Sequence, residues 1–220
     1  MSNINVNHII KYIEDNKIST AEIGDAIGKK HSIINVRPII ENIHIVGKVF
    51  YSCGYAESNW PIHNDIVDVK ENEIVYIEDL NHNNHRSLFG ELVSKYIINT
   101  RKAKAIVTNG SIRDYRDIKD ASLMLWINGT NPIGSFNTKP TFTDEIEEYV
   151  EKQRDKFNGS IAVCDDDGVV IIPKNDINDL LLVNIQKLRE QEKIWKECIL
   201  IDKWSTMDTI CLKKYLKGSN

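Results

Sequence analysis

The stretch GELVSKYIINTRKAKAIVTNGSIRD, residues 90–114, carries the pattern that decides the fold class. Together with the residue two places before it, it sets Leu88, Leu92 and Tyr96 at i, i+4 spacing, which predicts a helix from Leu88 to Thr100. Ala105-Ile106-Val107 then reads as a short buried strand, and Thr108-Asn109-Gly110 as the turn that ends it. Asp114 to Ala121 reads as a second helix and Leu123 to Ile127 as a second strand. Helices alternating with strands define an α/β chain. In such folds ligands bind where a strand's C-terminal end meets the following loop. That loop here delivers the adjacent pair Arg113-Asp114.

The reading extends outward in both directions. Ile9, Ile10 and Ile13 have helical spacing within residues 4–15. Ser19-Thr20-Ala21-Glu22 is a capping-box pattern, because a serine hydroxyl and a glutamate three residues on can satisfy each other's backbone donors; a short helix should run from it through Ala26 to Gly28. Residues 43–50 are rich in β-branched side chains and read as a strand, as do residues 73–77. Residues 161–163 and 169–172 flank Asp165-Asp166-Asp167-Gly168, a hairpin with an Asp-Gly turn. Thr143 to Phe157 carries Ile146, Val150 and Phe157 at helical spacing but also fits an edge strand; Asp179 to about Ile199 returns to an amphipathic helix. No repeat, low-complexity linker or composition shift divides the chain. It is expected to form one domain over residues 1–220, with N-terminal helices at about 4–28 and a C-terminal helical extension at about 179–220.

Composition narrows the function classes. Lys and Arg number 28 against 32 Asp and Glu, a net charge of -4, so a broad basic face for nucleic acid is not expected. No apolar run approaches the roughly 20 residues of a membrane span, and no secretory signal pattern opens the sequence. The expectation is a cytoplasmic protein with no membrane or nucleic-acid partner. Cys53, Cys164, Cys198 and Cys211 form no CxxC pair and no zinc-ligand spacing, so free thiols are expected.

Several motifs bear on chemistry. A guanidinium such as that of Arg113 can grip a carboxylate in a bidentate fork, and a carboxylate such as that of Asp114 can hold a hard divalent cation; an Arg-Asp pair in a loop is also an ordinary surface ion pair. The Asp165–Asp167 run lacks further ligands at calcium-loop spacing and reads as a turn. The six histidines form no HExxH motif, and His82 and His85 fall in a polar stretch that reads as a solvated loop. Lys95, Lys102 and Lys104 are Schiff-base candidates only in principle. There is no GxSxG, Walker-type loop or GxGxxG.

Four stretches together resemble the RraA-like family, which includes the class II 4-hydroxy-4-methyl-2-oxoglutarate/4-carboxy-4-hydroxy-2-oxoadipate aldolases. They are residues 20–28, residues 37–49, the segment from Gly90 to Asp114, and residues 163–173, and in order they cover about residues 18–205. The resemblance implies an α/β fold of the β/β/α swivelling-domain-like sandwich type that assembles as a homotrimer or homohexamer with active sites between subunits. It implies a divalent metal, Mg²⁺ or Mn²⁺, and cleavage of a 4-hydroxy-2-oxo acid to pyruvate plus a second 2-oxo acid, with oxaloacetate decarboxylation at the same site. Carried over residue by residue, Arg113 would bind the pyruvate-like part of the substrate and Asp114 would ligate the metal. Glu91 would touch the metal's water shell. Backbone N–H groups after Gly90, at Leu92 and Val93, would hold the substrate carboxylate, and Asp25 would help order water. Glu192 or Glu190 would reach over from a neighbouring subunit.

The sequence departs from the family's pattern in three places. The interval from Glu91 to Arg113 is one residue longer, Asn109 stands where Asp is common, and a charged stretch from Thr143 to Ser160 replaces a Gly-rich strand pair. The departures imply a divergent member. Alternatives are a lyase on the same scaffold acting on a different specialised 2-oxo acid, and a non-catalytic protein-binding regulator.

Overall fold

A computed structural model of the chain describes residues 6–80 and 86–217; His82 and His85 lie outside the described residues. Helices α1 (Val6–Asp15) and α2 (Thr20–Ala26) precede the two-residue strands β1 (Ser32–Ile33) and β2 (Arg37–Pro38) and the long strand β3 (Ile45–Gly54). Then come α3 (Trp60–Asp65), β4 (Ile74–Asp79), β5 (Ser87–Phe89), α4 (Glu91–Lys95), β6 (Ala105–Ile112), α5 (Tyr115–Asp120) and β7 (Leu125–Thr130). The chain continues with α6 (Asp144–Phe157), the hairpin β8 (Ile161–Asp165) and β9 (Gly168–Ile172), and α7 (Asp179–Lys196).

Strand order is β1-β9-β8-β3-β4-β6-β7-β2, with β5 beside β6. β3 serves two sheets: Ile45–Lys48 pairs antiparallel with β8, and Val49–Gly54 pairs parallel with β4. One sheet is therefore mostly parallel (β3-β4-β6-β7), the other antiparallel (β1-β9-β8-β3).

Side chains alternate along each strand, and the alternation assigns the layers. Ile74 and Tyr76 of β4 share a core with Ala162, Cys164, Val169 and Ile171 of the hairpin, so the two sheets face each other there. Val75 and Ile77 point the other way, into a core with Ile62 of α3, Ile97 after α4 and Ile118 of α5. The hairpin's alternate residues, Ile161, Val163, Val170 and Ile172, pack under α1, α2 and α7. The result is a mixed α/β fold, as expected; the β/β/α layers are present, and α1, α2 and α7 add an outer layer over the hairpin to make an α/β/β/α stack. Burial on both faces explains why β4 and β9 read as unbroken apolar runs.

Local details follow from particular side chains. The Ser19 hydroxyl accepts from the Glu22 N–H at 3.2 Å while Glu22 Oε2 accepts from the Ser19 N–H at 2.8 Å, so the capping box is complete. Thr143 to Phe157 is a helix, with Thr143 as its N-cap and Val150 and Phe157 buried beneath it. The Asp165–Gly168 stretch is a turn, and two of its acids are tied to distant segments of the chain. Asp165 accepts from the Thr20 N–H and hydroxyl, both at 2.7 Å, and Asp166 Oδ1 accepts from the Asn42 N–H at 2.9 Å. The cysteines are free thiols, three buried and Cys211 exposed.

Two expected elements differ from the structure. The helix expected from Leu88 begins only at Glu91: Leu88 and Phe89 are buried in β5, and extended Gly90 separates strand from helix. Leu92, at helical spacing from Leu88 and Tyr96, is 80% exposed. Thr108-Asn109-Gly110 does not turn, because β6 runs on to Ile112. The Asn109 side chain accepts from the Asp79 N–H at 2.7 Å, and the register with β7 shifts between Thr108 and Ser111. A Cβ at Gly110 would lie 2.7 Å from Leu88 Cδ1, so glycine marks a bulge with a close neighbour here, not a reversal.

Candidate functional site

The C-terminal ends of the parallel strands open into a cavity of about 230 Å³. Its walls come from four places: α3 (Asn59, His63), β5 and the start of α4 (Ser87–Gly90, Leu92, Val93), the β6–α5 junction (Arg113, Asp114) and the loop after β7 (Gly134, Ser135, Asn137).

Each wall is fixed by backbone pairing. The Arg113 N–H donates to Phe89 O at 3.0 Å, tying the end of β6 to β5. The Ser87 N–H donates to Ile133 O at 2.7 Å and the Ser135 N–H to Ser87 O at 2.9 Å, which holds the loop against β5. Asp114 leaves the strand at φ 58°, ψ 33°, the left-handed region that aspartate tolerates better than most residues, and α5 starts directly after it. Left-handed backbone costs about 1–3 kcal/mol at a non-glycine residue and concentrates at functional sites.

Two glycines shape the Arg113-Asp114 pair. A Cβ at Gly90 would stand 2.2 Å from Asp114 Oδ2, and one at Gly134 would stand 2.5 Å from Arg113 Nη1. The pair itself is loose, with Arg113 Nε 3.6 Å from Asp114 Oδ2 and both side chains roughly half exposed. It therefore adds little stability, and the guanidinium is not spent in a bidentate fork with its neighbour. Asp114 Oδ2 also accepts from the Glu91 N–H at 3.2 Å, a carboxylate at the start of a helix. Gly90 has no side chain to cap α4, so the first-turn N–H groups of Leu92 and Val93 have no acceptor within the helix.

The structure thus brings Gly90, Leu92, Val93, Arg113 and Asp114 around one cavity. It does not bring the carboxylate of Glu91 there: Glu91 Oε1 takes the Lys95 ammonium at 2.5 Å, and only its backbone N–H meets Asp114. Between Glu91 and Arg113, α4 widens into a π-turn over Tyr96–Thr100. Asp25 lies on α2, across both sheets from the cavity, 3.7 Å from Lys29. Glu192 lies on α7 in that same outer layer, 3.5 Å from Lys196; Glu190 is exposed on the same helix. Neither α2 nor α7 lines the cavity of its own chain.

Sequence reading did not single out Asn59, His63, Ser87, Ser135 or Asn137. Only the first two left a local signal, since Asn59 and His63 stand four apart around Pro61 and so share a helix face.

A second polar cluster lies on the opposite face of the parallel sheet. Buried Glu78 accepts from the Tyr51 hydroxyl at 2.6 Å and the Tyr149 hydroxyl at 3.0 Å. Burial first, and the Glu78 charge second, push the Tyr51 phenol well above its ordinary value. This cluster locks α6 to the sheet and is no part of the cavity wall. Among the described residues, no three His, Cys, Asp or Glu side chains are grouped to share a metal ion, and no helix is long and apolar enough to cross a membrane.

A family model described as RraA-like, Aldolase/RraA, matches residues 20–171. The chain belongs to the RraA-like family. That family holds aldolases and lyases as well as RNase E inhibitor-type members. An uncharacterised protein from Pseudomonas syringae pv. tomato has a similar structure, with a TM-score of 0.66 at 16% identity over 94% of this chain and 98% of that one. RraAS2 of Streptomyces coelicolor, described as an unusual member of the RNase ES inhibitor RraA family, reaches 0.66 at 14% identity over 84% and 94%. The RNA-processing inhibitor RraA from Thermus thermophilis reaches 0.56 at 13% identity over 70% and 92%. At these identities the likeness concerns the RraA-like fold.

Proposed function

We propose that this RraA-like chain is a divalent-metal-dependent lyase that cleaves a 4-hydroxy-2-oxo acid to pyruvate and a second 2-oxo acid, and that it also decarboxylates oxaloacetate. The observation that carries the reading is the convergence of Arg113, Asp114 and the first-turn N–H groups of Leu92 and Val93 on one cavity. A volume of about 230 Å³ suits a compact ligand, being below the roughly 300–1,000 Å³ of sites for drug-sized molecules.

The donor set fits Mg²⁺ or Mn²⁺. Such ions are commonly held by one or two carboxylates, with water and substrate oxygens completing the shell. Both contacts of Asp114 fall on Oδ2, and Oδ1 accepts no hydrogen bond among the described residues. Asp114 would hold the ion, and a bound ion would supply Lewis-acid stabilisation of the charge that develops on the 2-oxo oxygen. The chain's own groups do the rest. Leu92 and Val93 N–H groups bind the substrate carboxylate, and the Arg113 guanidinium donates to the 2-oxo oxygen as it gains charge. In the cleavage the C3–C4 bond breaks, its electron pair stays on C3 as the pyruvate enolate, and C4–OH becomes C=O. The hydroxyl proton leaves through solvent to a base, and C3 is protonated afterwards. Decarboxylation of oxaloacetate yields the same enolate, so one site serves both reactions.

Glu192 or Glu190, and Asp25, enter this scheme only if a second copy brings its outer helices to the cavity, as in a homotrimer or homohexamer with shared sites. Glu91 enters through water only if it leaves Lys95.

The test is pyruvate release from oxaloacetate and from a panel of 4-hydroxy-2-oxo acids, with and without Mg²⁺ or Mn²⁺. Metal-dependent turnover lost in Asp114→Ala is the expected result. Turnover of one specialised 2-oxo acid alone would support the same-scaffold alternative. Activity that survives both exhaustive chelation and Asp114→Ala would refute the reading.

A further inference from the structure

We infer that Asn59 reads a hydroxyl group on the ligand, and so selects hydroxy-oxo acids over plain 2-oxo acids. The inference rests on the proposed lyase site and goes beyond it.

Asn59 opens α3 and is 8% exposed. Its side-chain amide is oriented by its neighbours: Nδ2 donates to Leu88 O at 3.1 Å. Leu88 O is an acceptor, so the NH₂ group must face it and the oxygen must face away. That oxygen, Oδ1, is buried and accepts no hydrogen bond among the described residues. Of the buried polar side-chain atoms left without a partner, it belongs to the one residue that lines the cavity. The backbone holds Asn59 in place from both sides. Its N–H donates to Phe136 O at 3.0 Å, and its own carbonyl accepts from the His63 N–H at 3.2 Å.

The neighbouring hydroxyls do not supply the missing proton. Ser87 Oγ donates to Ile133 O at 3.2 Å, and Ser135 Oγ donates to Ser87 O at 2.9 Å. A buried acceptor without a donor costs free energy, and a ligand that brings an O–H removes that cost. A carboxylate or ketone oxygen cannot do so, since it has no proton to give. Arg113 and the helix N–H groups offer only donors, and Asp114, the other strong acceptor in the lining, is the carboxylate that would be taken up by the ion in the proposed site. A ligand complementary to both is an anion with a hydroxyl, which is what a 4-hydroxy-2-oxo acid is. Oxaloacetate fits the donor part and leaves Asn59 Oδ1 unserved. An amide oxygen is too weak a base to take the proton, so Asn59 holds and orients the O–H while the proton leaves elsewhere.

The experiment compares two reactions in one protein. In Asn59→Ala and Asn59→Leu, kcat/KM for a 4-hydroxy-2-oxo diacid should fall about tenfold relative to kcat/KM for oxaloacetate, since one buried hydrogen bond to substrate is lost. Partial unfolding lowers both reactions equally and cancels in the ratio. A ratio unchanged from the unaltered protein, or two rates that fall in parallel, would overturn the assignment. If the unaltered protein turns over neither substrate, the lyase reading fails and binding decides. Calorimetry on the Mg²⁺-loaded protein then compares 4-hydroxy-2-oxoglutarate with 2-oxoglutarate. A preference for the hydroxylated ligand that disappears in both variants sustains the role of Asn59. No preference, or one that persists in the variants, overturns it.

Discussion

Replacing Gly90 by alanine separates positioning at the cavity from stability. Gly90 sits at φ −139°, ψ −156°, extended backbone that any residue adopts, so the substitution meets no dihedral penalty. The new Cβ would lie 2.2 Å from Asp114 Oδ2 and 2.9 Å from Arg113 Cγ. Ordinary contact is about 3.5 Å, so the carboxylate must retreat by roughly 1 Å. It can do so cheaply, because the Asp114 side chain is 41% exposed and can swing into solvent. What is lost is the hydrogen bond from the Glu91 N–H. That bond is worth about 1 kcal/mol before solvent screening, and the stiffer unfolded chain returns about 0.4–1 kcal/mol. The melting temperature should therefore move by no more than about 3 °C. If Asp114 holds the ion as proposed, a displacement of about 1 Å costs on the order of 100-fold in rate. The assay pairs thermal unfolding by circular dichroism with metal-dependent pyruvate release. Gly90→Ala that keeps its fold and full activity would refute the argument that Asp114 must stand where it does. A fall in melting temperature beyond about 10 °C would show instead that the contact is a packing constraint.

Trp126→Phe tests the joint between the sheets. The indole Nε1 donates to Asp165 O at 2.7 Å from a buried position, so the variant should lose about 2–4 kcal/mol in urea unfolding and leave the midpoint activity ratio between substrates unchanged. Alkaline unfolding should register Cys53, whose thiol burial pushes up from 9.0 to about 12. With the folded value raised, its contribution is fully present below pH 9 and is lost as pH rises from 9 towards 12, at up to about 1.4 kcal/mol per pH unit. Cys53→Ala should flatten the stability profile over that window, and a profile parallel to the unaltered protein's would count against the buried neutral thiol.

How much of this was legible beforehand varies element by element. The capping box at Ser19 and Glu22 and the hairpin around Asp165–Gly168 were readable because their hydrogen bonds close within a few residues. The apolar runs of β4 and the hairpin were readable as strands because each of their faces has its own core. The Asn-Gly pair at 109–110 misled. A turn signal is a statement about local backbone freedom, and here Leu88 and Asp79, distant in sequence, press on Gly110 and use that freedom for a bulge. Leu88 misled for a similar reason: its spacing to Leu92 is helical, but pairing of β5 with β6 claims it for a strand.

The same division runs through the candidate site. Arg113 and Asp114 are adjacent in sequence at the end of a strand, and Gly90 opens the same 90–114 segment, so the sequence by itself pointed to this segment as the candidate locus and to the RraA-like family. Only the tertiary structure decided which other side chains share it. Asn59 and His63 arrive from α3, and Gly134 and Ser135 from the loop after β7, because strand order places these segments side by side. It also decided that Glu91 turns to Lys95, and that Asp25 and Glu192 lie in the far helical layer. Spacing along a chain encodes contacts across one helix turn or one strand pair. The orientation of a carboxylate, and the unpaired oxygen of Asn59, depend on partners that only the closed fold supplies.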